Sequence, residues 1–360
     1  MVSRKGAGVT FWEIGCAGLA FLLAYWLTGR LCSPMSKLRL LDYPNERSLH
    51  VSPTTRTGGI AILGGLVAGV LLDNIVSQET GLPLTSPRLW IVNLAVLLGV
   101  VSFLDDRVSL PSGIRLGIHT LAALAMVWVT GLTLNAIVVP FLGTLSLGWM
   151  AVPVTILFLV WMTNLYNFMD GMDGFAGGMT VLGYGFLGYV AWRGGHHAIA
   201  VLSLLIVGAT GGFLWYNLPP ARIFMGDIGS VPLGFLTAAL AVLGTHDGLF
   251  DIWVPLLIFS PFIADATVTL FRRLLRSEKV WQAHREHYYQ RLVLAGWGHR
   301  KTVMAEYALM LACGMSAVVY VQVSEPWRMM ILLGWMAIYT VLIWGVCVVE
   351  RQTKVVGAAG

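Results

Sequence analysis

Charged side chains are scarce in this 360-residue chain, 11% of it against 57% hydrophobic residues. A soluble domain carries roughly 25% charged residues, so a soluble globular protein is excluded and no nucleic-acid partner is expected. Cysteine is equally sparse. Cys16, Cys32, Cys313 and Cys347 lie in or beside apolar segments with no CxxC spacing, so they read as small apolar residues rather than disulfide or metal ligands. His284 and His287 have no neighbouring Cys and no HExxH pattern, which argues against zinc. Internal repeats and low-complexity linkers are missing too, and the whole of 1–360 is expected to form one integral-membrane domain.

Long apolar runs fill the sequence instead. A membrane-spanning helix needs roughly 20 apolar residues, and such runs fall at 11–31, 58–77, 89–104, 116–132, 150–168, 175–192, 197–216, 229–246, 250–271, 303–323 and 327–348. The expected fold is an all-α polytopic membrane bundle with about eleven transmembrane helices. Arg4 and Lys5 precede the first run, which is long for a signal-peptide core and has no small-x-small site after it, so it reads as a retained helix. Residues 133–149 are β-prone and turn-rich and suit a short periplasmic hairpin. Eighteen of the 23 Lys and Arg residues fall in alternate loops beginning with 32–57 or at their edges, leaving Arg4, Lys5, Arg88, Arg193 and Arg328. The positive-inside rule then places the N-terminus outside and the C-terminus inside.

With that topology every polar cluster meets the cytoplasm, in loops 32–57, 105–115, 168–175, 217–229 and 272–302. The first loop offers Arg47, His50 and Arg56, with Gly58-Gly59 opening a helix where an anion could approach backbone N–H groups. A turn-rich, positively charged flank is the plainer reading. The second carries Asp105-Asp106, whose adjacent carboxylates call for Mg²⁺ or a basic side chain, followed by Arg115 and His119. The third reads Asn164-Leu-Tyr-Asn167-Phe-Met-Asp170-Gly-Met-Asp173-Gly174, with Asn164, Asn167 and Asp170 on one helical face. Its hard oxygens suit Mg²⁺. The fourth sets Asp227 between Gly226 and Gly229 at a helix start that can cradle phosphate. The fifth alternates cations and rings through His284-Arg285-Glu286-His287-Tyr288-Tyr289, a pattern suited to a nucleotide diphosphate, or to a basic flank lying on anionic lipid. Asp265 sits inside the ninth run, as a functional group or as a partner of Arg272 and Arg273.

Together these strings resemble the polyprenyl-phosphate N-acetylhexosamine-1-phosphate transferases, from about Asp42 to Lys301. Asp105-Asp106 looks like the family's Asp-Asp motif, Asn164 to Gly174 like its DGxDG motif, Phe224 to Ser230 like its F-M-G-D-x-G-S motif, and His284 to His287 like its last cytoplasmic loop. That loop is similar to the O-antigen-initiating branch rather than the muramyl-pentapeptide translocases. His119 stands where Gln is the family expectation. The resemblance implies transfer of N-acetylhexosamine-1-phosphate from a UDP-sugar to undecaprenyl phosphate in the inner membrane, with UMP released to the cytoplasm and a lipid-linked surface glycan begun. It implies Mg²⁺, with Mn²⁺ as a substitute, held by Asn167 and Asp227. Asp105 and Asp106 would bind or deprotonate the acceptor phosphate, with Asp105 acting as base, orienter or nucleophile. Arg47, His50, Arg56, Arg115 and Asn164 would meet substrate. His284, Arg285 and His287 would grip the diphosphate, and Asp170 and Asp173 would shape the nucleotide pocket. A homodimer is compatible with the family pattern. An intramembrane aspartyl protease is disfavoured because no GxGD pattern is present, and a secondary transporter because its ions bind at the midplane between repeats.

Overall fold

The computed structural model describes residues 9–38, 40–44, 48–50, 52–76, 86–108, 110–279 and 284–358. Arg47 lies outside them. Helices dominate: α1 (Phe11–Cys32), α2 (Gly58–Val76), α3 (Pro87–Val108), α4 (Ser112–Thr130), α5 (Ala151–Phe168), α6 (Phe175–Arg193), α7 (His197–Asn217), α8 (Asp227–His246), α9 (Trp253–Ile258), α10 (Ser260–Leu275), α11 (Tyr288–Leu292), α12 (Gly298–Gln322) and α13 (Glu325–Ala358). Among the described residues, nine helical stretches are long and apolar enough to cross a membrane. This is an all-α polytopic membrane protein.

The expected apolar runs fall on helix, and two of the eleven, α6 and the run at 250–271, miss that length-and-composition threshold for local reasons. In α6, Gly, Thr and Tyr dilute the apolar sequence. The run at 250–271 is broken where α9 ends and Pro261 begins α10, because proline cannot supply the backbone N–H that a continuous helix needs. The hairpin forms as expected: β3 (Ala136–Val139) pairs antiparallel with β4 (Gly143–Ser146). A second small ladder was not anticipated. In the first loop β1 (Leu41–Asp42) pairs with β2 (Thr54–Thr55), and Thr55 bridges to Ile223 before α8.

Helix α8 is the axis of the bundle, buried along nearly its whole length and packed by α3, α5 and α2. In lipid, apolar contact alone gives helices little reason to associate, so close backbone approach at small residues matters. Gly208 and Gly212 on α7 supply it: a Cβ at either would strike the backbone of α1 at Ala17 or Phe21. Gly59 likewise lets the start of α2 meet Gly229 on α8. This corrects the reading of Gly58-Gly59 as an anion cradle. Their N–H groups donate to the carbonyls of Phe224 and Met225 at 3.0 and 2.9 Å, so they fasten two helix starts together.

Asp265 does not pair with Arg272 or Arg273. Its carboxylate accepts from the backbone N–H groups of Tyr288 and Tyr289, both at 3.0 Å, and meets His287 Nδ1 at 3.0 Å. It caps α11. Arg272 and Arg273 pair instead with Glu286 and Glu278.

Candidate active site

Asp105 and Asp106 close the last turn of α3, the end of the helix dipole that disfavours negative charge. Cations from two other segments answer them. Arg56 Nη1 stands 3.4 Å from Asp106 Oδ1, and its Nη2 donates to the Asp106 carbonyl at 3.2 Å. Asp105 Oδ1 accepts from Leu110 N–H at 2.6 Å, while Oδ2 lies 3.7 Å from Arg115 Nε. The same Arg115 reaches Asp227 Oδ2 with Nη1 at 3.6 Å. One guanidinium therefore spans carboxylates delivered by α3 and α8.

Asp227 opens α8, where the helix N-terminus favours an anion. Gly226 before it has φ +69°, and a Cβ there would strike the Arg56 carbonyl, so both conformation and space require glycine. Asn167, on the last turn of α5, accepts from Ser230 Oγ at 2.7 Å and hydrogen-bonds to Asp227. One turn earlier, Asn164 donates to Val160 O at 2.7 Å and faces His119 Nδ1 at 3.2 Å. Asp170 accepts from Gly226 N–H, and burial together with the Asp227 carboxylate holds its carboxyl well above the usual range.

Asp105, Arg115, Asn164, Asn167 and Asp227 line the polar end of a groove of about 620 Å³. Its remaining wall is largely apolar, with Leu98, Val101, Ile118, Leu157, Trp161 and Val231 among its residues. His119, which the sequence left without a role, lines it as well.

The other candidates lie around this groove rather than in it. His50 packs its ring on Phe224 at 4.9 Å between centroids, with Asp42 at 3.8 Å. Asp173 accepts from Ala221 N–H at 3.0 Å and meets His299 at 3.2 Å, so its oxygens tie two loops and the start of α12 together. His287 is buried against Asp265, with the His284 ring 4.9 Å away. Burial, then His287 and Arg273, push the His284 pKa down to about 4, so at neutral pH this side chain is an uncharged hydrogen-bonding group. Arg285 lines a separate cavity.

Several positioning residues escaped the sequence reading. Asn217 accepts from Gly174 N–H at 3.0 Å and donates to Ile223 O at 2.8 Å, stapling the segment after α5 to the one before α8. Tyr307 donates to Gly174 O at 2.6 Å. Ser230 had a signal, one turn beyond Asp227 on the same helix face; Tyr307, one of two tyrosines in an apolar run, had none.

The site's charge suits a hard cation. Three carboxylates (Asp105, Asp106 and Asp227) meet two guanidinium groups, and among the described residues Asp106 Oδ2 is buried without a hydrogen-bond partner. Among the described residues no three His, Cys, Asp or Glu side chains form a ready-made metal cluster. Mg²⁺ does not need one, because it takes one or two carboxylates and fills its octahedron with water and phosphate oxygens.

Residues 89–245 match the model of glycosyl transferase family 4. The chain is 36% identical over 286 residues to the probable undecaprenyl-phosphate N-acetylglucosaminyl 1-phosphate transferase of Bacillus subtilis, covering 79% of this chain and 78% of that protein. It is 30% identical over 340 residues to the decaprenyl-phosphate N-acetylglucosaminephosphotransferase of Mycobacterium tuberculosis, covering 85% and 82%. A phospho-N-acetylmuramoyl-pentapeptide-transferase from Halalkalibacterium halodurans is 28% identical over 282 residues, covering 73% and 84%.

Proposed function

This chain belongs to the polyprenyl-phosphate hexosamine-1-phosphate transferases of glycosyl transferase family 4, and from that premise we propose that it moves N-acetylglucosamine-1-phosphate from UDP-N-acetylglucosamine to undecaprenyl phosphate. The observation that carries the reading is the groove, apolar along its length and polar at one end. An isoprenoid chain is chemically matched to the wall of Leu98, Val101, Ile118 and Val231, with its phosphate at Arg115. UDP-N-acetylglucosamine is chosen as donor because relatives matched over 79% and 85% of the chain carry N-acetylglucosamine in their names.

In this reading an oxygen of the lipid phosphate attacks the β-phosphorus of the UDP-sugar. The bond from that phosphorus to the bridging oxygen breaks, and UMP leaves with the bridging oxygen. A phosphate monoester has a second pKa near 6, so the acceptor is largely a dianion at neutral pH and no strong base is required. Asp105 then orients the acceptor through Arg115 rather than serving as an obligatory base. The difficulty is bringing anions together. Arg115 and Arg56 offset that repulsion and stabilise charge as it shifts between the phosphates. Asn167 and Asp227 would hold Mg²⁺, which supplies further charge neutralisation when bound. His284, neutral at pH 7, donates a hydrogen bond to the sugar phosphate rather than offering a cation.

The active site faces the cytoplasm of the cytoplasmic membrane, a placement supported by the basic residues gathered on these loops. The product starts a lipid-linked surface glycan, of which an O-antigen is one kind. Mass spectrometry of the lipid product, after incubating proteoliposomes with undecaprenyl phosphate and a panel of UDP-sugars, tests the donor. A mass gain of one N-acetylglucosamine phosphate, from UDP-N-acetylglucosamine in preference to other donors, is expected. A muramyl-pentapeptide product alone would overturn the assignment.

A further inference from the structure

A second cavity, of about 500 Å³, lies between α10, α11 and α13 and shares no lining residue with the groove. Arg272, Arg276, Arg285 and Arg291 line it, against two carboxylates, Glu286 and Glu350. Glu286 is shared by Arg272 at 2.9 Å, Arg276 at 3.5 Å and Arg273 at 3.8 Å, and Glu350 is engaged by Arg291 at 2.6 Å. Arg285 has no ion-pair partner among the described residues. The cavity thus keeps a net positive charge.

Two of these guanidinium groups are held with hydrogen-bonding capacity in reserve. The Arg291 side chain is only 10% exposed, and its Nη1 is buried with no hydrogen-bond partner among the described residues. Arg272 Nε is in the same condition. Both arginines lie over the Tyr288 ring, their Cζ atoms 5.6 and 4.9 Å from its centroid, which fixes their planes. Buried donors without partners are costly and normally satisfied. A tetrahedral phosphate offers acceptor oxygens suited to several guanidinium forks at once.

The surroundings say which phosphate. Helix α13 contributes Glu350 and Thr353 to the cavity near its end, and little of its apolar span is buried. Val341, Leu342 and Trp344, one to three turns before Glu350, are exposed. The cavity therefore opens at the foot of a lipid-facing helix, where a bilayer places its head groups. Basic pockets between transmembrane helices recognise anionic head groups in this way. We infer that the cavity between α10, α11 and α13 binds the phosphate of an anionic membrane phospholipid, apart from the reaction groove.

The test uses the full chain, stripped of lipid in a nonionic detergent, with binding followed by native mass spectrometry. Phosphatidylglycerol should bind at least about tenfold more tightly than phosphatidylcholine. Arg276→Gln should weaken phosphatidylglycerol binding about fivefold, as expected for one cation at a membrane surface. Glu350→Gln removes a competing carboxylate and should tighten binding, a gain that a folding defect cannot imitate. Arg351→Gln, the same charge change at an exposed neighbour outside the cavity, should leave binding within about twofold of the unmodified chain, well short of the single-cation effect. Equal losses in Arg276→Gln and Arg351→Gln would reduce the effect to diffuse surface charge and overturn the site. So would the absence of a preference for phosphatidylglycerol, or displacement of the lipid by inorganic phosphate at comparable concentration.

Discussion

Arg115 holds the position on which the site's electrostatics turn, because it touches carboxylates from two helices that otherwise repel. Replacing it with Gln removes a charge and leaves Asp105 and Asp227 facing each other. The loss of one preorganised electrostatic group in an active site costs roughly 10²–10³ in rate, and Arg115→Gln should lower UMP release by about that factor. His284 makes a second, pH-dependent prediction. Its pKa is pushed down to about 4 by burial, His287 and Arg273, whereas the unfolded chain titrates near 6.5. Between those values the unfolded state binds more protons, so stability is full above about pH 6.5 and falls as pH drops toward 4. Thermal melting in detergent should show that decline between pH 7 and 5, and His284→Gln should flatten it. Much of the groove's polar end is legible as residue type: Asp105, Arg115, Asn164, Asn167 and Asp227 all stand out as polar groups at the edges of apolar runs. Asn217 stands at such an edge too, but its role and that of Tyr307 depend on Gly174, a contact set by tertiary packing.

At the scale of elements, α11 shows how a short helix is made to stay. Its five residues are too few to be stable alone. Asp265 on α10 supplies acceptors for two of its N–H groups, and Tyr289 packs beneath the turn after α5, where a Cβ on Gly171 would strike its hydroxyl. Removing that cap should loosen α11 from the turn that carries Asp170. Asp265→Ala is expected to cost about 1–2 kcal/mol, in line with loss of a helix cap, and to reduce activity without abolishing it; melting and UMP release measured on the same preparation check both. The sequence marks Asp265 as expensive in lipid but not as a cap, since its partners lie more than twenty residues away. The break between α9 and α10 was hidden for a related reason. Apolar content gives the run 250–271 as one segment, whereas Pro261 and the turn at Phe259 divide it.

The whole molecule gathers loops from five parts of the chain at one end of a bundle whose axis is α8. Arg56 meets Asp106, Thr55 bridges to Ile223, Asp170 meets Gly226 and Asp173 meets His299. Such a site cannot be read from any one segment, yet the apolar runs expose its edges because polar groups are so few. What periodicity leaves out is helix contact through glycine, as at Gly59 and Gly229, where the residues have no side chain to pattern. The central claim is metal-dependent transfer to a lipid phosphate at Asp227. Its most direct test is UMP release from UDP-N-acetylglucosamine by the purified protein in proteoliposomes, with undecaprenyl phosphate and Mg²⁺ each supplied or withheld, beside the Asp227→Asn variant. The account predicts release only when both are present and a loss of about 10³-fold or more in the variant. Release without the lipid acceptor, or full activity in Asp227→Asn, would contradict it.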